Sequence, residues 1–109
     1  MNKSAVAYKL WHEYLIHFPR LEKYTLGQKI DNLFCDLIEL LLQASYANSQ
    51  QKYIIISKAG IRLDALKYFL KMSWELKSID NKKYTTLSSS INEVGKMLGG
   101  WKKQIQNLS

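Results

Sequence analysis

Few side chains in this sequence are of the kinds that do acid–base, nucleophilic or metal chemistry, and their spacing does not favour a catalytic site. His12 and His17 lie about 140° apart around a helix, so they cannot share a metal as an i, i+4 pair does. Cys35 is the single cysteine, so no zinc-ligand set can form around it. No glycine-rich loop follows a strand pattern, which leaves a nucleotide-phosphate cradle unsupported. We expect a protein that is not an enzyme and that needs no metal or cofactor.

Two further groups of polar residues have structural interpretations that we favour. Asp31, Asp36 and Glu39 could form a carboxylate pair, but a solvated or salt-bridging helix face is the more common use of such a pattern. The three serines of residues 88–90 have no histidine near them in the sequence. Their hydroxyls are expected to face water near the start of a helix.

Basic side chains are the most informative chemistry in the sequence. Lysine and arginine number 16 against nine acidic residues, which gives a net charge of +7 and a pI near 9.5. Residues 30–50 contain three acids and no base, whereas residues 51–109 contain eleven bases and four acids. Such an excess favours a polyanion partner, through phosphate neutralisation and counterion release. A plainly solvated basic surface is the alternative.

The candidate nucleic-acid contacts are basic residues in three parts of the chain, and phosphate binding without base-specific readout is the role expected of all of them. Those ranked first lie on the third predicted helix and near the chain end: Lys58, Arg62, Lys67, Lys71, Lys96, Lys102 and Lys103. Those ranked second lie around the first predicted loop: Arg20, Lys23 and Lys29. Each could instead be a solvated or subunit-interface charge. Trp11, Trp74 and Trp101 fall on or near apolar stripes, so packing is favoured over base stacking for them.

These residues must be positioned by helices, of which the segment from Ser49 to Lys77 is the most apolar. One stripe of this segment has the spacing of a buried helix face: Ala59, Leu63, Leu66, Leu70 and Ser73. A second apolar stripe lies roughly 100–160° away around the helix: Ile54, Ile61, Ala65, Met72 and Leu76. Because 109 residues cannot wrap one helix completely, we predict that the second stripe is an oligomer interface. A merely apolar central helix is the alternative.

The periodicity predicts four helices, at about residues 4–18, 26–46, 50–78 and 82–103, in a single domain spanning residues 1–109. The chain has one proline and five glycines, so long uninterrupted helices are favoured over sheets. Short loops between four helices predict an all-α, antiparallel up-down four-helix bundle. No apolar run reaches the length of a membrane span, and the N-terminus lacks the pattern of a signal peptide. The lone Cys35 fits a reducing compartment, so we expect a cytoplasmic protein.

Capping residues predict where these helices begin and end. Ser4 is the expected N-cap of the first helix, and Pro19 is expected to end that helix at Phe18. Thr25 and Gln28 have capping-box spacing for the second helix. The remaining predictions concern three short segments: Asn48 or Ser49 caps the third helix, Asp80 or Asn81 caps the fourth, and Gly99-Gly100 either ends the fourth helix or thins it for close packing.

Three runs of sequence resemble a known family of small bacterial four-helix-bundle proteins. Residues 19–30, PRLEKYTLGQKI, resemble its first loop and second-helix entry, and residues 62–67, RLDALK, resemble its third helix. Residues 91–101, INEVGKMLGGW, are similar to the branch called Avd, the accessory variability determinant of diversity-generating retroelements. Other members are encoded in intervening sequences of ribosomal-RNA genes. The likeness extends from about Tyr8 to Lys103.

The resemblance implies a homopentameric ring of bundles that binds RNA and DNA through a basic surface. It also implies partnership with the retroelement reverse transcriptase in mutagenic cDNA synthesis. Many Avd-like proteins carry arginine where this chain has lysine, which neutralises phosphate without a bidentate fork. Two alternatives stay open: a ribosomal-RNA intervening-sequence type of bundle with another role, and an oligomeric scaffold that binds only protein.

Overall fold

A computed structural model describes residues 2–108, and its regular structure is entirely helical. The elements follow in this order: α1 (Asn2–Leu15), α2 (Arg20–Glu22), a π-helical turn (Lys23–Gly27), α3 (Gln28–Tyr46), α4 (Ser49–Glu75) and α5 (Asn81–Leu108). Helix α5 has 28 residues and is about 42 Å long, so it runs nearly the whole 47 Å length of the molecule. The prediction of an all-α four-helix bundle is confirmed. Within residues 2–108, no helix combines the length and apolarity needed to cross a bilayer.

Neighbouring helices run in opposite directions. Contacts pair residues near the start of one helix with residues near the end of the other: Lys3 with Glu93 and Tyr14 with Lys83 for α1 and α5, Lys29 with Phe69 for α3 and α4, and Tyr53 with Lys102 and Trp74 with Tyr84 for α4 and α5. Helices α3 and α4 are joined by a two-residue connection, at Ala47 and Asn48. This is the up-down topology that short connections favour.

The core is built from the predicted apolar stripes. On α4 the predicted inner stripe is buried throughout, from Ala59 to Ser73. Helices α3 and α5 also bury apolar residues at helical spacing: Ile30, Leu33, Phe34, Leu37, Leu41 and Ala44 on α3, and Leu87, Ile91, Val94 and Leu98 on α5. Burial of these side chains supplies most of the driving force for folding, at about 1.5–3 kcal/mol for each large one.

The first helix ends earlier than predicted. Helix α1 ends at Leu15, and the turn that follows is closed by hydrogen bonds from Phe18 N–H to Leu15 C=O and from His17 N–H to Tyr14 C=O. Phe18 lies outside the helix but is buried, because its ring packs edge-on against Trp11 with 5.3 Å between centroids. The position of the Phe18 side chain is therefore set by its packing against Trp11 and not by the helix.

The predicted starts of the first two helices are wrong. Ser4 lies inside α1, which already includes Asn2, so it is not the N-cap. Thr25 and Gln28 make no capping box, because the helical path has already begun at Arg20. The Pro19 carbonyl accepts the first helical hydrogen bond, from Lys23 N–H at 2.9 Å. The Thr25 hydroxyl instead donates to the Leu21 carbonyl at 3.1 Å, within the same helical path.

The caps of α4 and α5 agree with the sequence at their N-termini. Asn48 Oδ1 accepts from Gln51 N–H at 3.0 Å, and Asp80 Oδ1 accepts from Lys83 N–H at 2.8 Å. At its C-terminus α4 ends at Glu75, a few residues before the predicted end. Lys77 there adopts a left-handed conformation with φ of 64°.

Lys77 forms part of a Schellman motif that closes α4. Ser78 N–H donates to Ser73 C=O at 2.8 Å, and Lys77 N–H donates to Trp74 C=O at 3.0 Å. These are the two bonds that define the motif. A lysine occupies the left-handed position that glycine usually takes, which the sequence pattern gave no reason to expect.

Helix α5 passes straight through Gly99-Gly100 and continues to Leu108, so of the two roles expected for these glycines, the one that ends the helix is wrong. Neither glycine has a left-handed backbone, and a Cβ built on either one would meet no atom within 4 Å. The two glycines therefore leave the backbone of α5 without side chains at this point on its surface. Nothing within the described part of the chain packs closely against them.

The second apolar stripe of α4 lies on the surface of the single chain. Ile54, Ile61 and Leu76 are 55%, 66% and 60% exposed, whereas Ala65 and Met72 are half-buried. Leu76 and Met72 also line an open cleft of about 490 Å³ together with Leu21, Leu26 and Phe69. The rest of the chain does not cover these three exposed side chains, and the assembly role of this stripe stays a prediction.

Candidate nucleic-acid interface

Positive charge is concentrated on the two longest helices. Helices α4 and α5 together carry ten basic and three acidic residues, whereas α3 carries one basic and three acidic residues. Helices α4 and α5 pack against each other, so the half of the bundle that they form carries most of the positive charge. The side formed by α3 is acidic. A polyanion approaching the molecule would therefore be oriented by this asymmetry.

A groove of about 650 Å³ runs between α4 and α5; we call it the α4–α5 groove. Its basic residues are Lys67, Lys96 and Lys102, and all three belong to the first-ranked predicted nucleic-acid contacts. Its remaining charged residues are Asp64 and Glu93. The other lining residues carry no charge: Ile56, Ser57, Gly60, Leu63, Ser89, Asn92, Gly95, Leu98 and Gly99.

At the bottom of this groove, glycines leave parts of the helix backbone without a covering side chain. A Cβ built on Gly60 or Gly99 would meet nothing within 4 Å. A Cβ on Gly95 would lie 3.4 Å from Leu63 Cδ2 and 3.7 Å from Lys67 Nζ. The backbone of both helices is thus open to close approach along the groove, and the Lys67 ammonium reaches across to α5. Glycine inside an otherwise good helix is the sequence signal that would have pointed to this groove.

One carboxylate in the groove is already balanced by two lysines. Glu93 Oε2 lies 3.1 Å from Lys3 Nζ, and Glu93 Oε1 lies 3.8 Å from Lys96 Nζ. The hydrogen bond and charge of Lys3, followed by the charge of Lys96, lower the pKa of Glu93. Lys3 was not singled out from the sequence, because its contact spans ninety positions. The carboxylate reduces the positive charge that a phosphate in the groove would meet.

Two further predicted bases, Lys71 and Lys103, are exposed. Lys71 lies one helical turn beyond Lys67 on α4, and Lys103 follows Lys102 on α5. Lys102 itself is half-buried, and its Nζ stands 5.4 Å from the centroid of the Tyr53 ring. That cation–π contact holds the ammonium at one end of the groove.

The other predicted bases lie away from the groove. Arg62 faces α3, where its Nε lies 3.9 Å from Asp36 Oδ2, in a weak pair whose side chains are each about half exposed. Lys29 Nζ stands 5.8 Å from the centroid of the Phe69 ring, beside the apolar cleft of α4. Lys58 is exposed on α4 outside the groove, and no contact places Arg20 or Lys23 near it within the described residues. The ten predicted contacts therefore do not form one continuous surface on a single chain.

The polar residues between α1 and α3 form a structural cluster. Trp11 Nε1 donates to Asp31 Oδ1 at 3.2 Å. Burial, and then a hydrogen bond with Asp31, raise the pKa of Tyr8 to about 12. Partial desolvation and the Asp31 charge also raise the pKa of the Cys35 thiol, which keeps it protonated at neutral pH. Among the described residues, no three histidine, cysteine or carboxylate side chains come close enough to share a metal ion.

The family model described as bAvd-like matches residues 3–105 of this chain. Comparisons with curated proteins and with solved structures gave no match.

Proposed function

Because the chain belongs to the bAvd-like family, we propose that it is an accessory protein of a diversity-generating retroelement that binds RNA or DNA together with the reverse transcriptase. The accessory role follows from the family. The nucleic-acid and reverse-transcriptase contacts are the proposal. We further propose that phosphates bind along the α4–α5 groove.

The observation that carries the proposal is the convergence of Lys67, Lys96 and Lys102 on that groove. Lysine neutralises phosphate as a point charge, and each such contact releases condensed counterions. The low glycine floor lets a sugar-phosphate chain approach both helices closely. Contacts of this kind position a strand without reading its sequence.

The experiment is binding of fluorescently labelled RNA, single-stranded DNA and duplex DNA across a salt series. A groove variant with Lys67→Gln, Lys96→Gln and Lys102→Gln is compared with a control variant with Lys9→Gln, Lys52→Gln and Lys83→Gln, which has the same net charge. Each lost phosphate contact should reduce the slope of log K against log salt by about 0.7–0.9. The groove variant should therefore lose about two units of slope or more, and the control variant clearly less.

Equal losses in the two variants would show that overall charge, not the groove, governs binding. No binding by the wild-type protein at low salt would sink the nucleic-acid role and favour a scaffold that binds only protein. Co-purification with the reverse transcriptase tests the second partner separately. A cytoplasmic location stays a prediction.

The exposed stripe of α4 supports a further part of the proposal, which is assembly into a homo-oligomer, with a pentameric ring as the form that the resemblance implies. Ile54, Ile61 and Leu76 would be covered in such an assembly. The mass of the purified protein in solution tests this part.

A further inference from the structure

An aromatic pair stands at the turn that joins α4 to α5. The rings of Trp74 and Tyr84 stack with 5.0 Å between centroids and 10° between planes. Trp74 Nε1 donates a hydrogen bond to Asn81 Oδ1, which fixes the edge of the indole. One face and one edge of Trp74 are thus held by residues of α5.

Trp74 remains the most exposed of the three tryptophans. Its residue surface is 37% exposed, whereas Trp11 is fully buried and Trp101 is half-buried. The surface that it still shows borders a cavity of about 670 Å³ next to Lys77, Ile79 and Asp80. An indole that is rigidly held yet not covered is a flat apolar surface available to a ligand.

The pair lies beyond the Lys67 end of the α4–α5 groove, outside the residues that line it. Gly60, Lys67 and Trp74 are spaced at intervals of seven on α4, so they share one face of that helix to within about 40°. Tyr84 and Lys102, eighteen residues apart on α5, likewise share a face. Trp74 is about 10 Å beyond Lys67 along the helix axis.

Three lysines and two carboxylates lie around Trp74, which leaves a net charge of +1. Lys71 precedes it by one helical turn, and Lys77 and Lys82 follow it in the turn and at the start of α5. The two acids, Glu75 and Asp80, line the cavity together with Lys77, and Asp80 also caps α5. The Schellman motif fixes the backbone of Lys77. A flat ring flanked by ammonium groups matches a nucleobase with its phosphates.

We propose that Trp74, backed by Tyr84, is a stacking platform for an unpaired base of single-stranded RNA or DNA whose phosphates follow the α4–α5 groove. This inference rests on the proposed nucleic-acid binding and adds to it a preference for single strands. A base inside a duplex is already stacked on its neighbours and cannot use the platform. Stacking is tolerant of sequence, because every base has a π-face.

The test uses the full chain and four 12-nucleotide probes: oligo-U RNA, oligo-dT DNA, and an abasic strand of each type with identical phosphates. Trp74→Leu removes the aromatic face, and Trp74→Phe keeps one. Tyr46→Leu, at an aromatic residue that is 85% exposed on α3, is the matched control. Circular dichroism checks that each variant is folded.

The wild-type protein should bind the base-bearing probes roughly 5- to 100-fold more tightly than the abasic ones. Trp74→Leu should reduce binding of the base-bearing probes to the abasic level without changing the salt slope, because no charge is lost. Trp74→Phe should retain most of the preference, and Tyr46→Leu all of it. If only the RNA strands bind more tightly with bases than without them, RNA is the ligand. If the DNA strands show the same difference, the platform accepts bases of either nucleic acid.

Equal wild-type affinity for base-bearing and abasic strands would overturn the platform while leaving the phosphate groove intact. So would a Trp74→Leu effect of the same size on both kinds of probe. If no probe binds in a salt-dependent manner, the proposed function itself fails, and that result differs from either of the others.

Discussion

The side chains of Lys3 and Glu93 join the first helix to the last, through 3.1 Å between Lys3 Nζ and Glu93 Oε2. Both side chains are about half exposed, so the pair adds little to stability. Its larger effect is on the charge of the α4–α5 groove, since Glu93 also lies near Lys96. The lowered pKa of Glu93 keeps it ionised at neutral pH.

Replacement of Glu93 should therefore strengthen nucleic-acid binding. Glu93→Gln removes the negative charge and frees Lys96 for a phosphate, so the salt slope should steepen by up to about one unit. Glu39→Gln changes the net charge equally on the acidic side of the bundle. Anisotropy titrations of both variants at several salt concentrations make the comparison. A Glu39→Gln effect as large as that of Glu93→Gln would contradict a local role.

Ile61 tests the exposed stripe of α4. Ile61→Lys places a charge beside Lys58 and Arg62, where burial against another subunit would leave it unpaired. We expect the mutant to sediment as a monomer at concentrations where the wild-type protein is oligomeric, with its helical content unchanged. Val6→Lys, at a residue of α1 that is 60% exposed, is the control with the same charge. A monomeric wild-type protein, or dissociation by the control alone, would be evidence against this interface.

Replacement of Lys77, the left-handed residue that ends α4, by glycine should stabilise the protein. The φ of 64° at Lys77 is unfavourable for a residue with a Cβ, and glycine removes that cost, so Lys77→Gly should raise the free energy of unfolding by about 1 kcal/mol. Lys71→Gly, in the exposed interior of the same helix, should lower it by a similar amount. Urea denaturation of both variants measures the difference. Destabilisation by both substitutions would mean that the left-handed turn does not persist in solution.

Two helical glycines should respond to alanine in opposite ways. Gly60→Ala meets no atom within 4 Å and should stabilise the chain by about 0.5–1 kcal/mol. At Gly27 a Cβ would lie 2.8 Å from Leu15 Cδ1 and 3.3 Å from the Glu22 carbonyl oxygen. Gly27→Ala should therefore destabilise the chain by about 1 kcal/mol or more. Thermal unfolding of the pair measures the difference, and a stabilising Gly27→Ala would show that the π-helical turn relaxes.

Tyr8 should make stability fall in alkaline solution. Its pKa of about 12 in the folded chain, against 10.0 for a free side chain, means that the native state holds this proton more tightly than the unfolded state does. The contribution of the protonated Tyr8 side chain to the free energy of unfolding is thus fully present below pH 10, and it is lost as the pH rises towards 12. Tyr8→Phe should flatten that decline, and Tyr46→Phe should not. Chemical denaturation from pH 9 to 12 provides the measurement, and an unchanged decline in Tyr8→Phe would refute the assignment.

Much of the fold could be predicted because the core positions repeat with helical spacing. The buried stripe of α4 and the caps at Asn48 and Asp80 depend on residues within a few positions of one another. Thr25 failed as a cap because the helical path had already started after Pro19. Gly99 failed as a terminator because α5 continues through it to Leu108. At both positions, the path of the helix beyond the few residues of the capping motif decided whether the cap formed.

The candidate site could be predicted only in part. Counting charges identified α4 and α5 as the basic helices, and Lys67, Lys96 and Lys102 do line one groove. The sequence did not reveal that Arg62 faces an acidic neighbour on α3 or that Lys3 reaches Glu93. Those relationships depend on which helix lies beside which. Periodicity within a single helix carries no information on that choice.

The π-helical turn at Lys23–Gly27 gives the path into α3 one residue more than α-helical spacing would use there. Loss of one residue at this turn would leave α3 in register with its neighbours. The turn would become an ordinary α-helical one, and the segment before it would keep its direction, because the residue lost is the one that the wider turn absorbs. Phe18 would keep its place against Trp11. This turn is therefore a position at which the chain can lose one residue without moving its first loop or repacking its core.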